Sequence, residues 1–127
     1  MGASGNKGDF QPTFVRKAMV ADIATSSGTF AATGEKVTIP AGKKYFVIAH
    51  GSMNNTIDAC AQVQLRVDGK QIEAFADDTA FCIFHFGETT AEEDAELHFR
   101  SCTGAGTATL YGTTSGRERT AVEVMYW

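Results

Sequence analysis

The stretch whose reading decides the fold is residues 63–75, VQLRVDGKQIEAF. Val63, Leu65 and Val67 alternate with Gln64 and Arg66, the period of two that sends successive side chains to opposite faces of a strand. Asp68-Gly69 then supplies the dipeptide favoured by a two-residue type I′ turn, where both central residues need positive φ. A hairpin is expected. Upstream, KVTIPAGKKYFVIAH (36–50) reads as strand, turn and strand, with Pro40 presetting φ in the turn and Gly42 closing it. Downstream, AFCIFHF (80–86) is a continuous apolar run suited to a strand covered on both faces. GTATLYG (106–112) and TAVEVMYW (120–127) add two strands around the turn-rich TTSGRE (113–118).

TTAEEDAELHFR (89–100) has two readings. Thr90 as N-cap with Glu93 three residues on would start a short helix, whereas Ala95, Leu97 and Phe99 alternate as a strand does. The strand is favoured, because AFCIFHF needs a partner and a two-turn helix is marginal alone. Short strands separated by turn signals make the fold class all-β: an antiparallel β-sandwich, jelly-roll-like, over residues 29–127, preceded by an extended N-terminal arm over 1–28.

At 127 residues and 43% hydrophobic content the chain has the size and composition of one folded domain. Its net charge is −4, but Lys7, Arg16 and Lys17 against Asp9 leave +2 on the first 20 residues and −6 on the other 107. An acidic body without a Lys/Arg stripe argues against nucleic acid as partner, because neutralising phosphates needs clustered cations. No stretch approaches the roughly 18 apolar residues of a membrane helix, and the N-terminus has no signal-peptide core, so synthesis in a cytoplasm without membrane insertion is expected. Cys60, Cys82 and Cys102 are odd in number and sit in apolar or β-patterned segments, which fits buried, reduced thiols.

The candidate chemical sites are weak. Cys82 and His85 in CIFH point to opposite faces of a strand, so they cannot share an ion, and His98 and Cys102 on one face lie about 13 Å apart. The acidic run Glu88, Glu92, Glu93, Asp94 and Glu96 has no D-x-D-x-D-G loop to preorganise calcium ligands and reads as a solvated loop. There is no G-x-S-x-G elbow, and the Gly-x-Gly of TGAGTAT leads into a strand rather than a helix. The expectation is therefore no catalytic residue, no metal, no cofactor and no enzymatic activity.

The two ends carry more information. Gly2, Gly5 and Gly8 keep the leader loose, yet Phe10, Pro12, Phe14, Val15 and Met19 are too apolar to stay comfortably in water. Together with Arg16 and Lys17 they form a candidate assembly arm that gains order by packing on an acidic neighbour. On the last strand Val122, Val124 and Tyr126 occupy one face and Glu123, Met125 and Trp127 the other, which makes Met125 and Trp127 a second candidate interface. Tyr111, Tyr126 and Trp127 are the candidate stacking platforms for a ligand.

The order KVTIPAGKKYFVIAHGSM, CAQVQLRVDGKQIEAF, AFCIFHF, AELHFRSCTGAGTATLYG, TAVEVMYW resembles small jelly-roll domains of the C1q/TNF-like type over residues 29–127. Similar sandwiches occur in virion proteins of tailed bacteriophages, such as capsid decoration proteins and fibre heads. The resemblance implies oligomerisation, often threefold, without catalysis. The missing signal peptide and collagen-like stalk favour a virion component made in the host cytoplasm. The expected function is thus a decoration or cement protein that docks on a major capsid protein and staples neighbours through its arm, as a homo-oligomer for which the resemblance implies a trimer as one form. The alternative is a tail-fibre head or a carbohydrate- or receptor-binding module.

Overall fold

The computed structural model describes residues 11–56, 61–76, 79–102, 106–112 and 119–127. They contain β1 (Thr13–Ala18), β2 (Ile23–Thr25), β3 (Ala31–Ile39), β4 (Lys44–Asn55), β5 (Ala61–Val67), β6 (Lys70–Ala76), β7 (Thr79–Glu88), β8 (Glu93–Ser101), β9 (Ala108–Leu110) and β10 (Ala121–Tyr126). The VQLRVDGKQIEAF hairpin is β5–β6, and its turn has φ of 52° at Asp68 and 72° at Gly69, the two positive values a type I′ turn demands. The ambiguous 89–100 segment resolves as the strand β8, inserted between β3 and β5.

The strands form two antiparallel sheets, β3-β8-β5-β6 and β1-β10-β4-β9-β2 with β7 also paired to β4, and these face each other as a jelly-roll sandwich. Alternation sends one side chain in two inward. Val63 and Leu65 of β5, Leu97 of β8, Val47 and Met53 of β4 and Val122 of β10 are all fully buried there. The turn carrying Gly42 is clamped to the acidic turn: Thr89 Oγ1 donates to Pro40 O at 2.7 Å and accepts from Lys43 N at 3.0 Å.

The segment expected as an arm contributes two strands to the sandwich. β1 pairs with β10 along its whole length, from Thr13↔Tyr126 to Ala18↔Ala121, and β2 pairs with β9. Met19 follows β1 into the core at 1% exposure, because its apolar side chain finds an unfilled inner position one residue beyond the strand.

Two expectations need correction. AFCIFHF is covered on one face only: Phe81 and Ile83 are buried, whereas Phe84 and Phe86 are 58% and 64% exposed, since no third layer lies outside β7 among the described residues. The cysteines are not all buried thiols. Cys82 falls on the outward parity of β7 and is an exposed free thiol, Cys102 is disulfide-bonded, and Cys60 lies outside the described residues.

The outer face of the β3-β8-β5-β6 sheet is covered by interlocked polar side chains. Glu73 accepts from Gln62 Nε2 at 3.1 Å and Gln64 Nε2 at 2.7 Å, while Arg100 Nε donates to Gln62 Oε1 at 2.8 Å. Gln62 and Gln64 are buried within these contacts. His98 joins them, and burial followed by the Arg66 charge holds its pKa below the ordinary value, with Glu96 pulling the other way.

A folded-state value that is lowered means the unfolded chain takes up the proton first. This contribution to stability is present above the unfolded value of about 6.5 and is lost as the pH falls from there. The thermal midpoint should therefore drop between pH 7 and about 5.5, and His98→Gln should flatten that slope in a calorimetric series. A second prediction concerns β4, where a Cβ at Gly51 would stand 2.6 Å from Thr120 Cα, a backbone atom that cannot turn aside. Gly51→Ala should cost about 1–3 kcal/mol in urea unfolding, the scale of overpacking.

Candidate assembly interface

The sheet containing β4 has the opposite character outside. β4 pairs with β10 through Ala121↔His50, Glu123↔Ile48 and Met125↔Phe46, and with β7 through Phe46↔Phe86, Ile48↔Phe84 and His50↔Cys82. Adding the β1 register gives three cross-strand rows on the outer face. The first is Phe14, Met125, Phe46, Phe86, the second Arg16, Glu123, Ile48, Phe84, and the third Ala18, Ala121, His50, Cys82.

The first two rows are dominated by rings. Phe46 and Phe86 lie 4.6 Å apart between centroids, Phe46 and Phe84 6.2 Å, and Phe84 and Phe86 6.4 Å in an edge-on arrangement. They form a ridge on the β4–β7 side. Phe14, 73% exposed, stands alone on β1, and between it and Phe46 runs a groove of about 410 Å³ whose floor includes Met125. At roughly 150–250 Å² per ring, Phe14, Phe84 and Phe86 alone present about 400 Å² to water. That equals the largest apolar patch of a typical monomer, roughly 300–600 Å², a class of patch that is often functional.

One polar cluster sits within this surface. Glu123 is held by His50 Nε2 at 2.5 Å on β4 and faces Arg16 Nε at 3.9 Å on β1. The carboxylate is thus compensated inside its own subunit, which lowers the desolvation cost of covering the face. Beyond the first row, Lys44 pairs with Glu88 at 3.9 Å, and Trp127 exchanges backbone hydrogen bonds with Lys44 at 3.0 Å in each direction.

The residues singled out in the sequence divide clearly. Phe14, Arg16 and Met125 come together on this face. Val15 and Lys17 are exposed on the alternate parity of β1, Pro12 is half-buried just before it, and Trp127 is half-buried at the end of the first-row side. Met19 belongs to the chain's own core, and Phe10 lies outside the described residues. Of the proposed stacking platforms, Tyr126 packs against the core and Tyr111 is half-buried. Sequence reasoning missed Phe46, Ile48, Phe84 and Phe86. The available signal was that AFCIFHF is apolar on both parities, which in a two-layer sandwich leaves one parity uncovered. Among the described residues, no three His, Cys, Asp or Glu side chains converge as a metal group.

No family model matches this chain, and no curated protein matches it. Several solved structures are similar to this chain at low identity. The CBM36-1 domain of a multidomain xylanase from the hindgut metagenome of Trinervitermes trinervoides is 14% identical over 90% of this chain and 96% of its own, with a TM-score of 0.47. The EclA C-terminal domain, a sugar-binding protein, is 13% identical over 91% of this chain and 79% of its own, with a TM-score of 0.44. A structure of infectious bursal disease virus Gt strain is 11% identical over 91% of this chain and 36% of its own, with a TM-score of 0.40.

If the ridge serves an interface and not the fold, removing it should barely affect stability. Phe84→Ser/Phe86→Ser should lower unfolding free energy by no more than about 1 kcal/mol, the scale of cross-strand pairs. Core Leu97→Ala should cost about 2–5 kcal/mol. The double variant should also lose most of the fluorescence of a bound hydrophobic dye.

Proposed function

We propose that this chain is a non-catalytic structural protein of a virus particle, of the capsid-decoration kind. Copies associate through the aromatic outer face of the β4 sheet. The open edge of β1, with Lys17, then meets the shell. The observation that carries this reading is the ring cluster of Phe46, Phe84 and Phe86, with Phe14 across the groove and a charge-compensated Glu123 between them. Burying it is worth roughly 25 cal/mol per Å² before the costs of association. The net charge of the chain, −4, opposes self-association only weakly at physiological salt.

Sedimentation of labelled protein with purified shells of the parent virus tests the reading. Wild-type protein should pellet with the shells, and Phe84→Ser/Phe86→Ser should remain in the supernatant while keeping its thermal midpoint. Wild-type protein that stays in the supernatant overturns the decoration role. Saturable binding to an immobilised glycan without shell binding transfers the assignment to a carbohydrate-recognising module.

A further inference from the structure

The outer face of the β4 sheet is not only apolar; it matches itself under one particular symmetry operation. Across the sheet the order is β1, β10, β4, β7, so the groove beside Phe14 lies at one side and the Phe84/Phe86 ridge at the other. A twofold axis parallel to the strands, passing between β10 and β4, inverts this order and keeps the rows in place. Resting on the reading that this face is an assembly surface, we propose that its occupant is a second copy related by that dyad, with Phe46 of each subunit entering the groove of the other and the Phe84/Phe86 ridge lying against the β1 wall of that groove. The unit so formed is a dimer, not the threefold assembly implied by the resemblance to C1q/TNF-like domains.

The rows agree with this operation one by one. In the first, Phe14 and Met125 face the partner's Phe86 and Phe46, so ring meets ring and thioether, both favourable packings. In the second, Arg16 faces the partner's Phe84, and Glu123, already held by Arg16 and His50, lies opposite the partner's Ile48. At the rim, Trp127 faces the partner's Lys44, an ammonium over an indole. No like charges lie directly opposite each other, and the two Glu123 carboxylates, about 5 Å apart sideways across the axis, are each compensated by their own Arg16 and His50. A twofold axis across the strands would instead stack the aromatic row on the row containing His50 and Cys82, leaving the ridge without a groove. Both ring patches are covered in the dyad pair, contributing on the order of 800 Å² from Phe14, Phe84 and Phe86 alone. That approaches the roughly 1,200–2,000 Å² of stable specific interfaces once the flanking side chains are added.

The third row provides the test, because the dyad sets Ala18 opposite the partner's Cys82. Cys82 is an exposed free thiol and Cys102 is disulfide-bonded, so Cys82 serves as a native handle. Facing sheets pack about 10 Å apart, whereas two Cys82 residues would be separated by a further three strand spacings, about 14 Å sideways. The experiment treats the full chain and Ala18→Cys with a bis-maleimide of about 10 Å span, alongside sedimentation equilibrium of the unmodified protein.

The expected result is a covalent dimer from Ala18→Cys, little from wild type, and a mass of two chains at saturation. A covalent dimer formed equally by wild type overturns the dyad. An assembly of three chains, or a two-chain mass with no cross-link from Ala18→Cys, also overturns it while leaving the aromatic face as an interface. Wild-type protein that is monomeric at about 100-fold above micromolar concentration overturns the dyad together with the reading beneath it.

Discussion

The sheet that carries the aromatic face depends on the pairing of β4. This twelve-residue strand binds β7 from Lys44↔Glu88 to Met53↔Thr79 on one side, and β10 and then β9 on the other. Tyr45, Val47, Ala49 and Met53 point inward and are essentially inaccessible, so the register cannot slip by one residue without exchanging buried and exposed sets. Phe46, Ile48 and His50 are therefore fixed outward by their neighbours. The same holds for Phe84 and Phe86, whose outward position follows from Phe81 and Ile83 facing the core. The interface surface is a consequence of how the core is registered, and small residues protect that registration. Gly51 admits the backbone of Thr120, and Gly87 leaves room for the Tyr45 ring.

The two outer faces of the sandwich are finished in opposite ways. On the β5 sheet, Gln62, Gln64, Glu73 and Arg100 satisfy one another across three strands, so the surface is finished in water. On the β4 sheet the equivalent positions are Phe14, Met125, Phe46 and Phe86, which water does not satisfy. Both faces belong to the same domain and to strands of similar length, so the contrast does not come from fold requirements. It comes from side-chain choice at positions where the core imposes none. That is why the ring surface, and not the more polar cavities elsewhere, carries the functional reading.

Much of the architecture was legible in the sequence. Asp68-Gly69 fixed the hairpin because its backbone demand is local, and Ala95, Leu97 and Phe99 identified β8 by alternation against a short, unstable helix. What could not be read was which apolar side chains lack a cover, because that depends on the number of layers rather than on local pattern. AFCIFHF suggested a strand buried on both faces, and in two layers half of it became the ridge. Phe14 and Met125 were singled out as interface candidates for unrelated reasons, one as part of an arm and the other as part of a final strand. Only the register of β1 on β10 shows that they are neighbours.

The leader invites a different mechanism, in which residues 10–19 leave the domain and wrap a neighbour. The β1–β10 register argues against that for the part described. Detaching β1 would open six paired positions, from Thr13↔Tyr126 to Ala18↔Ala121, and would withdraw Met19 from a fully enclosed site. Losing a buried methionine alone is worth about 2–5 kcal/mol, a large share of the stability of a domain this size. β1 therefore acts as a fixed edge strand, and its exposure is a feature of the assembled domain rather than of a free arm. Fixing β1 also completes the face, since Phe14 forms one wall of the groove and Arg16 neutralises Glu123 at its floor. The residues that read as a tether in the sequence are, in the fold, what gives the outer face of this sheet its second wall.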